Sequence, residues 1–242
     1  MIKEKFNYQS PHANHEGILF TQDKDKARPV VLVAHAWYGR DDFAIQQAEN
    51  LAKLGYVGIA VDNFGDAKLA TNDSEASALI GPLFVNRDEL RTRMVAALEK
   101  IQTFPFVDRS KVGAIGFCFG GLSVIELLRS GANLKGVVSF HGVIANSIGG
   151  KPANLAPNQP MKGAFLLLHG ADDPMNSWQD LERFAKELTD AKVDWEFDLY
   201  GHTSHAFTNP KANNPEKGLI YNSKIANRAF AKMDAFFKEV LK

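Results

Sequence analysis

The stretch KVGAIGFCFGGLSVIELLR, residues 111–129, carries the clearest fold signal of the chain. Its beginning, 111–116, is a short and almost wholly apolar run, which is typical of a strand covered on both faces in a parallel sheet. A helical pattern of apolar residues starts at Phe119 with no loop before it. The stretch therefore predicts a buried strand, a sharp turn at Cys118 and a helix, which together are a building unit of α/β folds.

The turn itself has the form of a nucleophile elbow, with cysteine in the position that serine usually holds. Gly116 and Gly120 stand two residues either side of Cys118, where larger side chains would collide in such a tight turn. The thiol would then lie at a helix N-terminus, whose partial positive charge favours a thiolate. The alternative is that Cys118 is only a small buried apolar residue beside a tight turn. The glycines and the strand-to-helix position favour the nucleophile.

Strand-like and helix-like segments alternate along the rest of the chain. Further apolar runs occur at 29–35, 56–61, 134–140, 164–169 and 193–200. Helical periodicity covers 41–54, 86–104, 177–188 and 225–240. The first 28 residues are typical of an antiparallel strand pair, and the Gly- and Pro-rich segment 149–163 is predicted to be a surface loop. This order predicts one α/β domain, residues 1–242, with a mostly parallel central sheet and helices on both faces.

The composition is that of an ordinary globular domain, with 45% hydrophobic and 23% charged residues among 242. Because 28 Lys and Arg balance 28 Asp and Glu, no net positive field exists to attract nucleic acid. The charged N-terminal residues and the lack of a long apolar run predict a cytoplasmic protein with no signal peptide and no membrane partner. Cys118 is the one cysteine, which excludes an internal disulfide and a cysteine zinc site.

Chemistry in such a sheet is expected at the carboxyl ends of the strands. Two acidic residues, Asp172 and Asp173, follow the run at 164–169, and His205 follows the run at 193–200. The order of nucleophile, acid and histidine is that of α/β-hydrolase enzymes. His202 and His205 could instead form a metal pair, but no third ligand of suitable spacing accompanies them. We therefore predict no metal site and no cofactor.

Three motifs in this order resemble the dienelactone hydrolase family of α/β hydrolases. They are Gly-x-Cys-x-Gly-Gly at 116–121, Gly-x-x-Asp-Pro at 170–174 and His-Ala-Phe at 205–207. The resemblance extends from about residue 29 to the C-terminus and implies an α/β-hydrolase fold. It also implies that Cys118 is the nucleophile, His205 the base and Asp173 the acid that orients the histidine. Asp172 is the alternative acid, but the family acid is the fourth residue counted from the glycine, here Gly170.

Nucleophile elbows place an oxyanion hole beside the nucleophile. One backbone N–H is expected from Phe119, and the resemblance implies that the second comes from Trp37. The substrate pocket is predicted to be edged by Trp37 together with three further residues near strand ends: Tyr38, Phe64 and His141. The long connection 63–85 is predicted to form a pocket wall or a partial lid.

Two positions differ from the best-known dienelactone-cleaving members of the family. Ala36 stands where those members have a glutamate that helps to switch on the cysteine, and Asn209 stands where they have an arginine that holds the substrate carboxylate. The sequence thus predicts covalent acyl transfer from Cys118 on a small ester or lactone, by a monomer or a homodimer. The alternatives from other classes are a catalytically inactive small-molecule binding protein and a thiol redox sensor.

Overall fold

An eight-stranded sheet forms the centre of the computed structural model, which describes residues 1–148, 151–155 and 158–242. The described residues form these strands, in chain order: β1 (Ile2–Ser10), β2 (Ala13–Thr21), β3 (Arg28–Ala34), β4 (Val57–Ala60), β5 (Val107–Phe117), β6 (Gly136–Phe140), β7 (Ser147–Ile148), β8 (Lys151–Pro152), β9 (Ala164–Gly170), β10 (Trp195–Tyr200), β11 (Asn213–Asn214) and β12 (Leu219–Ile220). Two pairs, β7 with β8 and β11 with β12, form small sheets outside the central one. The order across the sheet is β1-β2-β4-β3-β5-β6-β9-β10. From β4 to β10 in this order all neighbours are parallel, whereas β1 and β2 form an antiparallel hairpin on the edge of β4.

Helices cover both faces of this sheet. They are α1 (Asp42–Lys53), α2 (Asp73–Val85), α3 (Arg87–Ile101), α4 (Phe119–Arg129), α5 (Trp178–Asp190) and α6 (Ser223–Val240). Buried residues of α1 and α6 pack with Val31 and Val33 of β3, whereas those of α3, α4 and α5 belong to the same core as Val30 and Leu32. Successive strand residues thus face opposite cores, which explains why the strand runs are continuously apolar. The predicted α/β fold with helices on both faces is confirmed.

None of the helices in the described ranges is long and apolar enough to cross a membrane.

The segment predicted as a surface loop, 149–163, is described only in part. Residues 149, 150, 156 and 157 lie outside the described residues. The described part begins with β8, which pairs antiparallel with β7 in a two-stranded sheet separate from the central one.

The connection 63–85 contains the helix α2, which the sequence pattern did not predict. The Asn72 side chain caps its start by accepting a hydrogen bond from the Glu75 N–H at 3.0 Å. Pro82 lies inside the helix, where proline removes one backbone hydrogen bond. The helix persists because Ile80 and Phe84 are buried against the core beside α4. The predicted wall at 63–85 is therefore an ordered helix over its second half.

Two glycines allow the turn between β5 and α4 to form. A Cβ on Gly116 would lie 1.9 Å from the carbonyl oxygen of Gly120, and a Cβ on Gly120 would lie 2.1 Å from that of Ala34. Both distances are far inside van der Waals contact, and the opposing atoms are backbone. The first turn of α4 can therefore approach β3 and β5 only with glycine at these positions.

Replacing Gly120 with alanine is expected to lower the free energy of unfolding by about 3 kcal/mol or more, because backbone must move to admit the methyl group. Gly81 is the matched control: it lies in α2, and a Cβ there would meet nothing within 4 Å. Gly81→Ala is expected to raise the stability by about 0.5 to 1 kcal/mol. Urea unfolding of the two variants measures both values. Equal stabilities would show that the turn does not depend on the close approach at Gly120.

Candidate active site

Cys118, Asp173 and His205 follow three different strands at the carboxyl edge of the sheet. Cys118 comes directly after β5, Asp173 follows the end of β9, and His205 follows the end of β10. In the sheet β9 and β10 are neighbours, and only β6 lies between β5 and β9. The topology therefore brings together three residues that are far apart in the sequence, as expected for a site at a parallel sheet edge.

The backbone of Cys118 adopts φ 56° and ψ −116°, a conformation that costs free energy for any residue with a side chain. Neighbouring hydrogen bonds hold it there. The Cys118 N–H donates to the Phe140 carbonyl at 3.1 Å, and the Cys118 carbonyl accepts from the Gly121 N–H at 3.0 Å. The residue is 8% exposed. Its position at the first turn of α4 is that of a nucleophile elbow.

Asp173, rather than Asp172, contacts His205. The His205 Nδ1 lies 2.7 Å from the Asp173 Oδ2, and both side chains are buried. The other carboxylate oxygen of Asp173 accepts a hydrogen bond from the Met175 N–H at 2.8 Å, which fixes the carboxylate orientation. Asp172 is exposed and has His202 as its nearest charged partner, at 4.0 Å.

The electrostatics of this pair favour an imidazolium beside a carboxylate. Burial of His205 disfavours its protonated form, but Cys118 and Asp173 outweigh burial and raise the pKa of His205 to about 10. Burial of Asp173 acts to raise its pKa, but the hydrogen bond to His205 and the charge of His205 lower the pKa below the usual value. Cys118 raises the pKa of His205 through its charge and through a side-chain hydrogen bond, so the thiol and the His205 ring lie within reach of each other.

Two further buried histidines lie against this pair. The His141 ring centroid is 4.9 Å from that of His205, and its Nε2 is 2.8 Å from the Thr208 hydroxyl. The His169 Nε2 lies 3.7 Å from the same Asp173 oxygen that His205 contacts. Burial and, to a smaller extent, the charge of His205 lower the pKa of His141 well below its usual value and the pKa of His169 to about 4. Both rings are neutral at pH 7, so they add no positive charge that would compete with His205 for Asp173.

His169 was not singled out from the sequence, because it reads as one residue of an apolar strand. Its position at the carboxyl end of β9, followed by a glycine, is the signal that places it at the functional edge.

The backbone N–H groups of Trp37 and Phe119 are available as donors. Within the described part of the chain, neither makes a hydrogen bond to another residue. Phe119 is the first residue of α4, where an N–H has no partner inside the helix. Trp37 is the third residue after the end of β3 and is half-buried. These are the two donors that the sequence predicts for an oxyanion hole.

An apolar wall surrounds the thiol. Cys118 belongs to a buried cluster that we call the pocket wall, whose other members are Phe64, Ile80, Leu83, Phe84, Leu90, Phe119 and Leu122. Ala36 and Trp37 pack against it, as do Leu79 and Val143. Phe64 thus lies in the same cluster as Cys118, and α2 supplies three of the other members. The side chains of the cluster are apolar, and the buried Arg87 guanidinium lies 4.2 Å from the centroid of its Phe84 ring.

The predicted pocket residue Tyr38 lies further out, at the surface. It is 42% exposed, and its hydroxyl donates to the Asp73 carboxylate at 2.6 Å. The Trp37 indole N–H reaches the same oxygen at 3.3 Å, and Lys217 donates to the other oxygen at 2.7 Å. Lys217, Tyr38 and Trp37 lower the pKa of Asp73 to about 2. Asp73, at the start of α2, therefore ties this helix to the Trp37 loop, a contact that no sequence signal indicated.

In the described residues no group of three or more His, Cys, Asp or Glu side chains is arranged to hold a metal ion.

Comparison with known proteins gives a consistent result. A family model described as the dienelactone hydrolase family matches residues 16–241. A solved structure described as a dienelactone hydrolase-like promiscuous phosphotriesterase from metagenomic libraries is 32% identical, with a TM-score of 0.90, covering 100% of this chain and 99% of its own. A protein of Synechocystis sp. named "Putative carboxymethylenebutenolidase" is 26% identical over 88% of this chain and 87% of its own length. An uncharacterized protein of Caenorhabditis elegans is 31% identical over 62% of this chain and 94% of its own length.

Proposed function

The chain belongs to the dienelactone hydrolase family, hydrolases that act on ester and lactone bonds, and on that premise we propose that it uses Cys118 to cleave a small neutral ester or lactone through a covalent thioester. One observation carries the proposal. Asp173 and His205 are hydrogen bonded at 2.7 Å, buried, and next to a cysteine held in the backbone conformation of a nucleophile elbow. A structural cysteine needs neither a strained backbone nor a charged imidazole beside it.

The first half of the reaction uses the imidazolium. His205 holds its proton near neutral pH and stabilises the Cys118 thiolate, which attacks the carbonyl carbon. As the C–S bond forms, the carbonyl electron pair moves to oxygen, and the N–H groups of Phe119 and Trp37 donate to this oxyanion. The carbonyl then re-forms, the bond to the leaving oxygen breaks, and the His205 Nε2 gives its proton to the alkoxide. A thioester and a neutral imidazole remain.

The second half restores the thiolate and the imidazolium. Water attacks the thioester while the His205 Nε2 takes one of its protons, and the same two backbone donors hold the second oxyanion. Collapse of this intermediate breaks the C–S bond and expels the thiolate as the acid leaves. Asp173 keeps the Nδ1–H of His205 directed toward itself in both halves, so that Nε2 always faces the reacting atoms.

The substrate class follows from the surroundings of the thiol. The pocket wall is apolar, and Asn209 stands where the dienelactone-cleaving members have an arginine that holds the substrate carboxylate. Ala36 stands where those members have the glutamate that helps to switch on the cysteine. The Asn209 side chain instead caps the nearby Lys211 N–H at 2.9 Å. Arg40, a basic residue three positions after Trp37, is already paired, because it donates to Glu16 at 2.8 Å. No basic side chain therefore stands at the position of the family arginine to hold a substrate carboxylate. This favours neutral esters and lactones as substrates.

The test of the proposed activity is release of p-nitrophenol from p-nitrophenyl acetate by the purified protein. A burst of product followed by slower turnover is expected if the thioester accumulates. The same assay with diethyl p-nitrophenyl phosphate tests phosphotriester cleavage, the activity in the description of the metagenomic relative. Tight ligand binding with no turnover of any ester would instead favour the inactive binding protein. Reversible oxidation of Cys118 with no turnover would favour the redox sensor.

A neutral lactone is expected to be hydrolysed with a kcat/KM at least equal to that of the carboxylated dienelactone. The missing charge-assisted hydrogen bond is worth about 1.5 to 3 kcal/mol, which corresponds to roughly ten- to hundredfold in kcat/KM. Asn209→Arg should raise kcat/KM for the carboxylated substrate and leave the neutral one within about threefold. Steady-state kinetics on both substrates with both proteins give the comparison.

A strong preference of the unmodified protein for the carboxylated substrate would overturn this prediction. It would direct attention to Arg87, which lies over the Phe84 ring of the pocket wall at 4.2 Å. Its Nη2 donates to the Ala145 carbonyl, whereas its Nε and Nη1 have no partner among the described residues.

A further inference from the structure

His35 is the last buried residue before the Trp37 loop, and both of its ring nitrogens are engaged by backbone. Its Nε2 lies 3.1 Å from the Asn63 backbone nitrogen, and its Nδ1 lies 2.9 Å from the Ala36 carbonyl oxygen. A backbone N–H can only donate, so Nε2 must be the acceptor. A neutral imidazole carries one N–H, which therefore resides on Nδ1 and donates to Ala36. The two contacts fix one neutral tautomer of His35, and burial, which lowers its pKa, supports the neutral form.

The carbonyl that His35 holds belongs to the same peptide group as the Trp37 N–H. No cis peptide bond occurs in the described residues, so the C=O of Ala36 and the N–H of Trp37 point in opposite directions. A donor fixed on the carbonyl therefore also fixes the direction of the N–H. It polarises the amide as well, which makes the N–H on the far side a stronger donor. The Trp37 N–H itself has no partner in the described part of the chain.

The His35 ring also lies close to two aromatic rings near the nucleophile. Its centroid is 4.5 Å from the Phe64 ring, edge to face, and 6.2 Å from the Phe119 ring. Phe119 supplies the second backbone donor, and Asn63 follows β4. One fully buried ring thus contacts the ends of two strands and the residue after the nucleophile.

We propose that His35 is a positioning residue for the oxyanion hole: its Nδ1–H holds the Ala36 carbonyl so that the Trp37 N–H points at the developing oxyanion. This role rests on the proposed acyl-transfer function. It is separate from the Cys118–His205–Asp173 group, because His35 contacts none of those three side chains in the described hydrogen bonds.

Two substitutions separate the two hydrogen bonds of the ring. In His35→Asn the side-chain amide nitrogen can take the place of Nδ1 and keep the bond to Ala36, while the acceptor for Asn63 is lost. In His35→Gln the amide oxygen can take the place of Nε2 and keep the bond from Asn63, while the donor to Ala36 is lost. With p-nitrophenyl acetate, His35→Gln is expected to lower kcat about 10- to 100-fold with KM within about threefold, since removing a whole oxyanion donor costs about 10²- to 10³-fold. His35→Asn is expected to stay within about fivefold of the unmodified kcat.

Two further measurements distinguish positioning from a general loss of structure. A trifluoromethyl ketone adds to the thiolate and places an oxyanion in the hole, so its inhibition constant should rise with His35→Gln by the same factor as kcat falls. Alkylation of Cys118 by iodoacetamide forms no oxyanion, and its rate should stay within twofold. The matched control is His12→Gln, since the His12 side chain is 72% exposed on the β1–β2 hairpin, and it should leave both kcat and the inhibition constant unchanged.

The outcomes separate this proposal from the proposed function. If the unmodified protein neither cleaves esters nor binds the ketone covalently, the acyl-transfer function itself fails. If it does both, but His35→Asn loses as much kcat as His35→Gln, the bond to Ala36 is not what matters and the positioning role is overturned. A fall in kcat that is matched by a fall in the alkylation rate overturns it as well, because the defect would then lie in the nucleophile.

Discussion

Replacing Cys118 with alanine is expected to lower kcat for p-nitrophenyl acetate by about 10⁴-fold or more. The reason is that no other described nucleophile lies in the strained turn beside His205. His205→Ala is expected to cost a similar factor, because the thiolate would lose both the neighbouring positive charge and its proton donor. The double variant should be no slower than the slower single variant, since residues that act on one step as a unit are not additive.

His202 provides the matched control for His205. It lies three residues earlier on the same connection, its side chain is fully exposed, and its nearest charged partner is Asp172 at 4.0 Å. His202→Ala is expected to keep kcat within about twofold. Steady-state kinetics on the unmodified protein and the four variants, with mass spectrometry of the trapped thioester in the unmodified protein, provide the measurement. A Cys118→Ala variant that keeps a tenth of the activity would exclude the covalent mechanism.

Replacing Asp173 with asparagine is expected to lower kcat by about 10²- to 10⁴-fold. The asparagine amide can donate to the His205 Nδ1, which would place the ring proton on Nε2 and leave no lone pair there to accept a proton from water. The carboxylate also helps to hold the proton on His205, because it is one of the two groups that raise the pKa of this residue to about 10. Asp172→Asn, one residue away and exposed, is expected to keep kcat within about twofold.

The pKa of His205 gives a second readout for the same pair of variants. A raised pKa means that the folded protein keeps the imidazolium as pH rises above the ordinary value of 6.5, and loses it only near pH 10. Removing the negative charge at Asp173 lowers this pKa, so the ring should lose its proton at a lower pH in Asp173→Asn. An NMR titration of the His205 ring protons measures the shift directly. If Asp172→Asn moves the titration and Asp173→Asn does not, the assignment of the acid is wrong.

The local sequence pattern predicted most of the strands and helices that position the candidate active-site residues. The run at 111–116 and the helix from Phe119 meet at Cys118 in the structure as they do in the sequence, because a strand buried on both faces and an apolar helix stripe are both local signals. The sequence pattern also predicted the ends of β9 and β10, and Asp173 and His205 follow these ends. What the residues alone left open was the choice between Asp172 and Asp173 as the partner of His205. Both residues follow the end of β9 in one short turn, and only the folded chain decides that Asp173 is buried whereas Asp172 is exposed.

The local sequence pattern did not predict the helix α2. Gly81 and Pro82 interrupt its pattern and read as a break, since both residues disfavour helix interiors. Burial of Ile80, Leu83 and Phe84 in the pocket wall outweighs that local preference. The wall of the pocket therefore depends on packing against residues more than thirty positions away, which a local pattern does not contain.

By itself the sequence determined the α/β alternation, the elbow at Cys118, and the strand ends at which an acid and a histidine follow. These depend on residues adjacent in the chain, where sterics and periodicity act directly. Only the tertiary structure decided that Asp73 joins α2 to the Trp37 loop and to Lys217, that His169 and His141 lie against the Asp173–His205 pair, and that His35 holds the Ala36 carbonyl. Most of these contacts join residues remote in sequence through single hydrogen bonds or ring edges. The partners, and the tautomer of His35, are set by where β3, β4, β9 and β10 end relative to one another, and that arrangement exists only after the sheet has formed.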